Sequence, residues 1–98
     1  MTEKNYFKPL NQLTFETVTE NRQQFVQLLE ADDLSSIHCD LSDVDKCDSA
    51  GLAFLVEARR LCRAQRTILI IEYIPGEIRA LAKLYGVEQI LQAGDDCI

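Results

Sequence analysis

The apolar positions of this chain switch between two periods, and the switches mark out its elements. Alternation in Phe7-Lys8-Pro9-Leu10 and in Leu13-Thr14-Phe15-Glu16-Thr17-Val18 predicts two short strands turned at Asn11-Gln12, a hairpin. Thr19 can cap a helix running to about residue 31, with Phe25, Leu28 and Leu29 at helical spacing on its buried side, and Asp32-Asp33 ends it. A strand over residues 37–41 follows. The polar segment 42–47 then leads into a helix over residues 49–65. Thr67-Ile68-Leu69-Ile70-Ile71-Glu72-Tyr73 is a nearly unbroken β-branched run, the pattern of a strand buried on both faces of a parallel sheet. Pro75-Gly76 opens a last helix in which Ile78, Leu81, Ala82 and Tyr85 recur at helical spacing. Gly86 is placed to end it in a left-handed cap, and Val87, Ile90 and Leu91 form a short apolar tail.

The order ββαβαβα predicts an α/β domain. Strand-helix-strand crossovers of this length give neighbouring parallel strands with right-handed connections, so the expected architecture is a mixed β-sheet with parallel core strands packed by helices. No linker, repeat or low-complexity tract interrupts it, and residues 1–98 read as a single domain with its core at about 7–92.

The helix from residue 49 carries more apolar surface than one buried stripe uses. Gly51, Phe54, Leu55, Ala58, Leu61 and Cys62 share an arc of roughly 120°, which would face the sheet. Leu52 and Val56 fall outside that arc, in line with Arg59 and Arg63. Two readings of that row stand side by side: a partner interface, to which arginine adds packing and charge-assisted bonds, or scattered surface leucine beside solvated arginine.

Charge and composition narrow the function classes. Sixteen acids against ten bases leave a net charge of −6, which disfavours direct binding to nucleic acid or anionic lipid. No apolar run approaches the roughly 20 residues that span a bilayer, and the polar start Met1-Thr2-Glu3-Lys4-Asn5 lacks the apolar core of a signal peptide, so a cytoplasmic location is expected. Cys39, Cys47, Cys62 and Cys97 show no C-x-x-C pair; reduced thiols are expected, with Cys39 and Cys62 facing the core. Asp40, Asp43, Asp45 and Asp48 lack the glycine and closing glutamate of a calcium loop, and the lone His38 lies in a strand, so no metal site is expected. Phosphate-loop, dinucleotide and nucleophile-elbow motifs are absent, and no cofactor or enzymatic activity is expected.

The junction Asp48-Ser49-Ala50-Gly51-Leu52 concentrates the remaining chemistry, a hydroxyl set on a helix N-terminus. Asp48 or Ser49 can cap the helix, a contribution of about 1 kcal/mol. Alternatively the hydroxyl is recognised or modified. A phosphate there would gain roughly 0.3–1 kcal/mol from the helix dipole but meet Asp48 and Asp45, so the two terms nearly cancel.

Strand 37–41, segment 43–48, Ser49-Ala50-Gly51-Leu52-Ala53 and the helix that follows resemble the STAS domain, shared by sulfate transporters and anti-sigma factor antagonists. Ala80-Leu81-Ala82-Lys83-Leu84-Tyr85 with Val87 and Ile90-Leu91 resembles its Mla branch, which serves phospholipid ABC transporters. The resemblance implies a non-enzymatic subunit that binds an MlaF-like ATPase and through it the permease. Such a subunit would lie at the cytoplasmic side of the inner membrane and support outer-membrane lipid asymmetry. Ser49 takes the place of the ATPase-contacting hydroxyl, often threonine in that branch, with Asp48, Gly51 and Leu52 around it; Val56, Arg59 and Arg63 extend the surface by helix geometry alone. The other branch implies a different role, an anti-sigma factor antagonist switched by phosphorylation of Ser49.

Overall fold

The computed structural model describes residues 6–31 and 35–91. Its elements run β1 (Tyr6–Phe7), β2 (Asn11–Leu13), α1 (Val18–Ala31), β3 (Ser36–Asp40), β4 (Val44–Cys47), α2 (Ser49–Ala64), β5 (Ile68–Glu72), α3 (Gly76–Leu84) and a final 3-10 turn (Glu88–Leu91). The α/β class is as the sequence predicts. Every described strand pairing is parallel, in a three-stranded sheet of order β1-β3-β5 and a two-stranded sheet β2-β4.

The register fixes what is buried. Phe7, Cys39 and Ile71 lie side by side across the three strands, as do Ile37 and Leu69, and all five side chains are buried. The rings of Phe7, Phe25 and Phe54 meet above that row, with Phe25 edge-on to Phe7 at 5.3 Å and to Phe54 at 5.9 Å, tying β1, α1 and α2 together. Cys62 is buried as well. On the sheet's opposite face Tyr6 stacks on His38 at 5.0 Å, and His38 Nδ1 lies 3.2 Å from Glu72 Oε2.

Five sequence expectations change. The hairpin does not form. Each of its strands pairs with a strand lying beyond α1, because a parallel neighbour needs a long crossover that a short turn cannot supply. Asn11 turns the chain between them with a left-handed φ of 63°, a conformation asparagine tolerates. Residues 14–17 close into a turn: Thr17 Oγ1 accepts the Thr14 N–H at 3.0 Å and donates to the Gln12 carbonyl, and the Val18 N–H reaches the Thr14 carbonyl at 2.8 Å. The helix therefore starts at Val18, and Thr19 lies inside its first turn. Its proposed terminator, Asp32-Asp33, lies outside the described residues, as do Met1 to Asn5 and Cys97.

Segment 42–47 is more than a connection, since β4 forms within it and pairs with β2 while Val44 turns inward. Nor is β5 buried on both faces. Leu69 and Ile71 are covered, whereas Ile68 is 45% exposed, because the helices pack against one side of this sheet.

The outward row on α2 also breaks up. Leu52 is 4% exposed and Arg59 7%, since α3 and the final turn pack over that side of the helix. Arg59 donates from Nε and Nη2 to the Ile90 carbonyl at 3.0 and 2.6 Å. Val56 is half-buried, and Arg63 is exposed. The apolar tail thus has a use within the fold: Ile90 and Leu91 are buried. Gly86 ends α3 with φ 72°, and the Gly86 and Val87 N–H groups bond back to the Lys83 and Ala82 carbonyls, a Schellman cap.

Candidate functional site

Where β4 ends, one carboxylate organises the junction. Asp48 is the N-cap of α2 in extended backbone, and its Oδ1 accepts the Gly51 N–H at 3.0 Å. Its Oδ2 accepts the Phe15 N–H, also at 3.0 Å, from the turn between β2 and α1. The cap role that the sequence left open between Asp48 and Ser49 belongs to Asp48. The Phe15 hydrogen bond is the main influence holding this carboxyl below the usual carboxylate range; partial burial opposes it, and the Gly51 and Ala50 N–H groups add to it.

Gly51 completes the joint from the helix side. A Cβ there would overlap the Leu13 carbonyl oxygen, stand 2.7 Å from the carbonyl carbon and 3.0 Å from the Cys47 sulfur. Only glycine lets the first turn of α2 rest on the end of β2. Cys47 is wedged beside it, its thiol pushed up to about 11 by burial, so it packs here as a weak donor to the Asp48 carbonyl and not as a nucleophile.

Ser49 is left facing out. It is the first helical residue, it is exposed, and its hydroxyl has no hydrogen-bond partner among the described residues. The outward side of α2 continues through half-buried Ala50, exposed Ala53, half-buried Val56 and exposed Arg60. An open groove of about 370 Å³ runs between α1 and α2 beside Ala50 and Ala53. At its far wall Arg22 pairs with Glu57 at 2.9 Å. Small side chains at the helix start give this face low relief, a form that admits close approach of another protein.

The seven residues singled out from sequence separate accordingly. Asp48, Ser49 and Gly51 come together at the junction, with Asp48 and Gly51 building it and Ser49 presented by it. Leu52 and Arg59 serve the interior. Val56 flanks the outward face, while Arg63 lies nearly four turns, about 20 Å, along the helix. The residue that the sequence reading missed is Phe15, placed there in a strand and found 79% exposed on the Asp48-bound turn. Its signal was an aromatic ring set among Thr14, Glu16 and Thr17.

Three of the four aspartates before α2 have separate engagements, and Asp45 is exposed. Asp40 accepts the Ser42 N–H at 2.8 Å, Asp43 pairs with Lys8 at 3.5 Å and Asp48 caps α2. Among the described residues no three His, Cys, Asp or Glu side chains are grouped to hold a metal ion, and no helix is long and apolar enough to cross a membrane.

Against known proteins, residues 11–92 match the family described as "Mlab, STAS domain". The crystal structure of a sulfate transporter family protein from Wolinella succinogenes has the same fold. It matches with a TM-score of 0.70 at 15% identity, over 89% of this chain and 70% of that one. No curated protein matches the chain.

Proposed function

The chain belongs to the STAS domain family, and from that premise we propose that it is a non-enzymatic, MlaB-like subunit that docks on the ATPase of an Mla-type phospholipid ABC transporter. The supporting observation is the exposure of Ser49 on a rigid joint. Asp48 and Gly51 are consumed in building that joint, whereas the Ser49 hydroxyl and the small residues Ala50 and Ala53 stand on its outer side. A partner surface can therefore meet the start of α2 closely and satisfy the Ser49 hydroxyl. ATP is then hydrolysed by the partner, and this subunit supports assembly and activity of the complex. It would sit at the cytoplasmic side of the inner membrane through that contact alone, in a system that maintains outer-membrane lipid asymmetry.

Affinity purification of the tagged protein from its native cell tests this reading. An ABC ATPase with its permease should copurify, and Ser49→Arg, which places a long charged side chain in the contact, should abolish their recovery. Equal recovery with Ser49→Arg would overturn the docking face.

The exposed hydroxyl also favours a second reading, phosphorylation of Ser49 by an anti-sigma kinase whose release it controls. Copurification of such a kinase, and a phosphate on Ser49 that appears only with it, would establish that switch in place of the transporter role.

A further inference from the structure

Resting on that docking reading, we propose that Phe15 is the anchor of the contact, its ring filling an apolar pocket on the ATPase beside the surface that meets Ser49. Phe15 is the most exposed large hydrophobic side chain among the described residues, at 79%. Its backbone is nevertheless held. The Phe15 N–H is bound by Asp48 Oδ2 at 3.0 Å, and the turn that carries it is closed by the Thr14 to Thr17 bond and by Thr17 Oγ1 on the Gln12 carbonyl. A ring presented on fixed backbone loses little conformational freedom on binding, which is the property that makes rigid aromatics effective anchors.

The same carboxylate caps α2, so Phe15 and Ser49 ride on one unit. That continuity selects the occupant. A protein covering Ser49 and the α2 start lies next to the ring, and an open cleft of about 390 Å³ beside the ring, lined in part by Thr14, Glu16 and Lys46, leaves room for the walls of a pocket. A second copy of this chain is a poorer fit, because it would bring together two surfaces of a molecule carrying a charge of −6. The fitting partner offers an apolar socket with basic or N–H donors around it, facing Glu16.

Binding of the purified MlaF-type ATPase from the same cell, measured by calorimetry against wild type, Phe15→Ala, Phe15→Leu and Ser49→Arg, tests the anchor. Phe15→Ala should weaken binding at least about tenfold, with Phe15→Leu intermediate and circular dichroism and melting temperature unchanged. If Ser49→Arg abolishes binding while Phe15→Ala stays within about twofold of wild type, the anchor is overturned and the docking face stands. If both variants bind as wild type does, the docking reading has failed and the anchor with it. Sedimentation of the isolated chain completes the test: a self-associated wild type that Phe15→Ala makes monomeric would assign the ring to a second copy and overturn the proposal.

Discussion

Gly51 on α2 rests against the carbonyl of Leu13 on β2 so closely that no side-chain carbon fits between them. The contact explains a glycine inside the first turn of a helix, where it otherwise costs about 1 kcal/mol relative to alanine. Gly51→Ala gains helix propensity and loses the joint. The obstructing atoms are backbone, which cannot swing aside, so the variant should be destabilised by about 2–3 kcal/mol. Chemical denaturation checks this: the midpoint should fall with the slope unchanged.

Ser49, two residues earlier, should behave in the opposite way. It is exposed and carries no hydrogen bond among the described residues, so Ser49→Ala should shift stability by no more than about 0.5 kcal/mol. Ser49→Arg should likewise keep the melting temperature near wild type while losing the partner. A large stability loss in either variant would show that the hydroxyl serves the fold.

Arg59 reports on the C-terminal turn. Its guanidinium is buried and makes two hydrogen bonds to the Ile90 carbonyl, so Arg59→Ala removes a charged donor pair and opens a gap between α2 and the turn. A loss of about 2–3 kcal/mol is expected. Amide hydrogen exchange should accelerate first at residues 88–91, before the sheet responds. Uniform acceleration throughout the chain would place the role of Arg59 in the global fold instead.

These residues show where the sequence was readable. Elements with a strong local period, α2, β3, β5 and α3 with its Gly86 cap, lie where the pattern placed them, as does the Asp48 to Leu52 junction. What failed depends on chain segments far apart in sequence. The partners of β1 and β2 lie beyond α1, and β4 has only one buried residue to announce it, Val44. Leu52 and Arg59 read as outward because a helical wheel supposes one covered face, and α2 has a second cover from α3 and the final turn. Phe15 read as a strand residue because the alternation from Leu13 continues past the point where Thr14 and Thr17 close the turn.

Acid should loosen the Asp48 joint in a window fixed by its carboxyl. The Phe15 N–H, with those of Gly51 and Ala50, lowers its folded-state pKa below the unfolded value of about 3.9. Between the two values the unfolded chain binds more protons, so stability rises with pH there. The contribution is complete above the unfolded value and is lost as pH falls through the lowered folded one. Burial is the largest single influence on Asp40 and opposes the shift, but the two Ser42 hydrogen bonds and the charge of Lys8 together outweigh it and lower this carboxyl too, so the test is a difference between variants and not the wild-type curve alone. Asp48→Asn keeps the shape but offers one oxygen where two N–H groups, of Gly51 and Phe15, now have one each. At pH 7 it should be less stable by about 1–2 kcal/mol. That gap should narrow steadily below about pH 4, as wild-type Asp48 takes up its proton. A gap independent of pH would mean that the loss comes from the amide's fit, and that the charge of Asp48 contributes nothing to the joint.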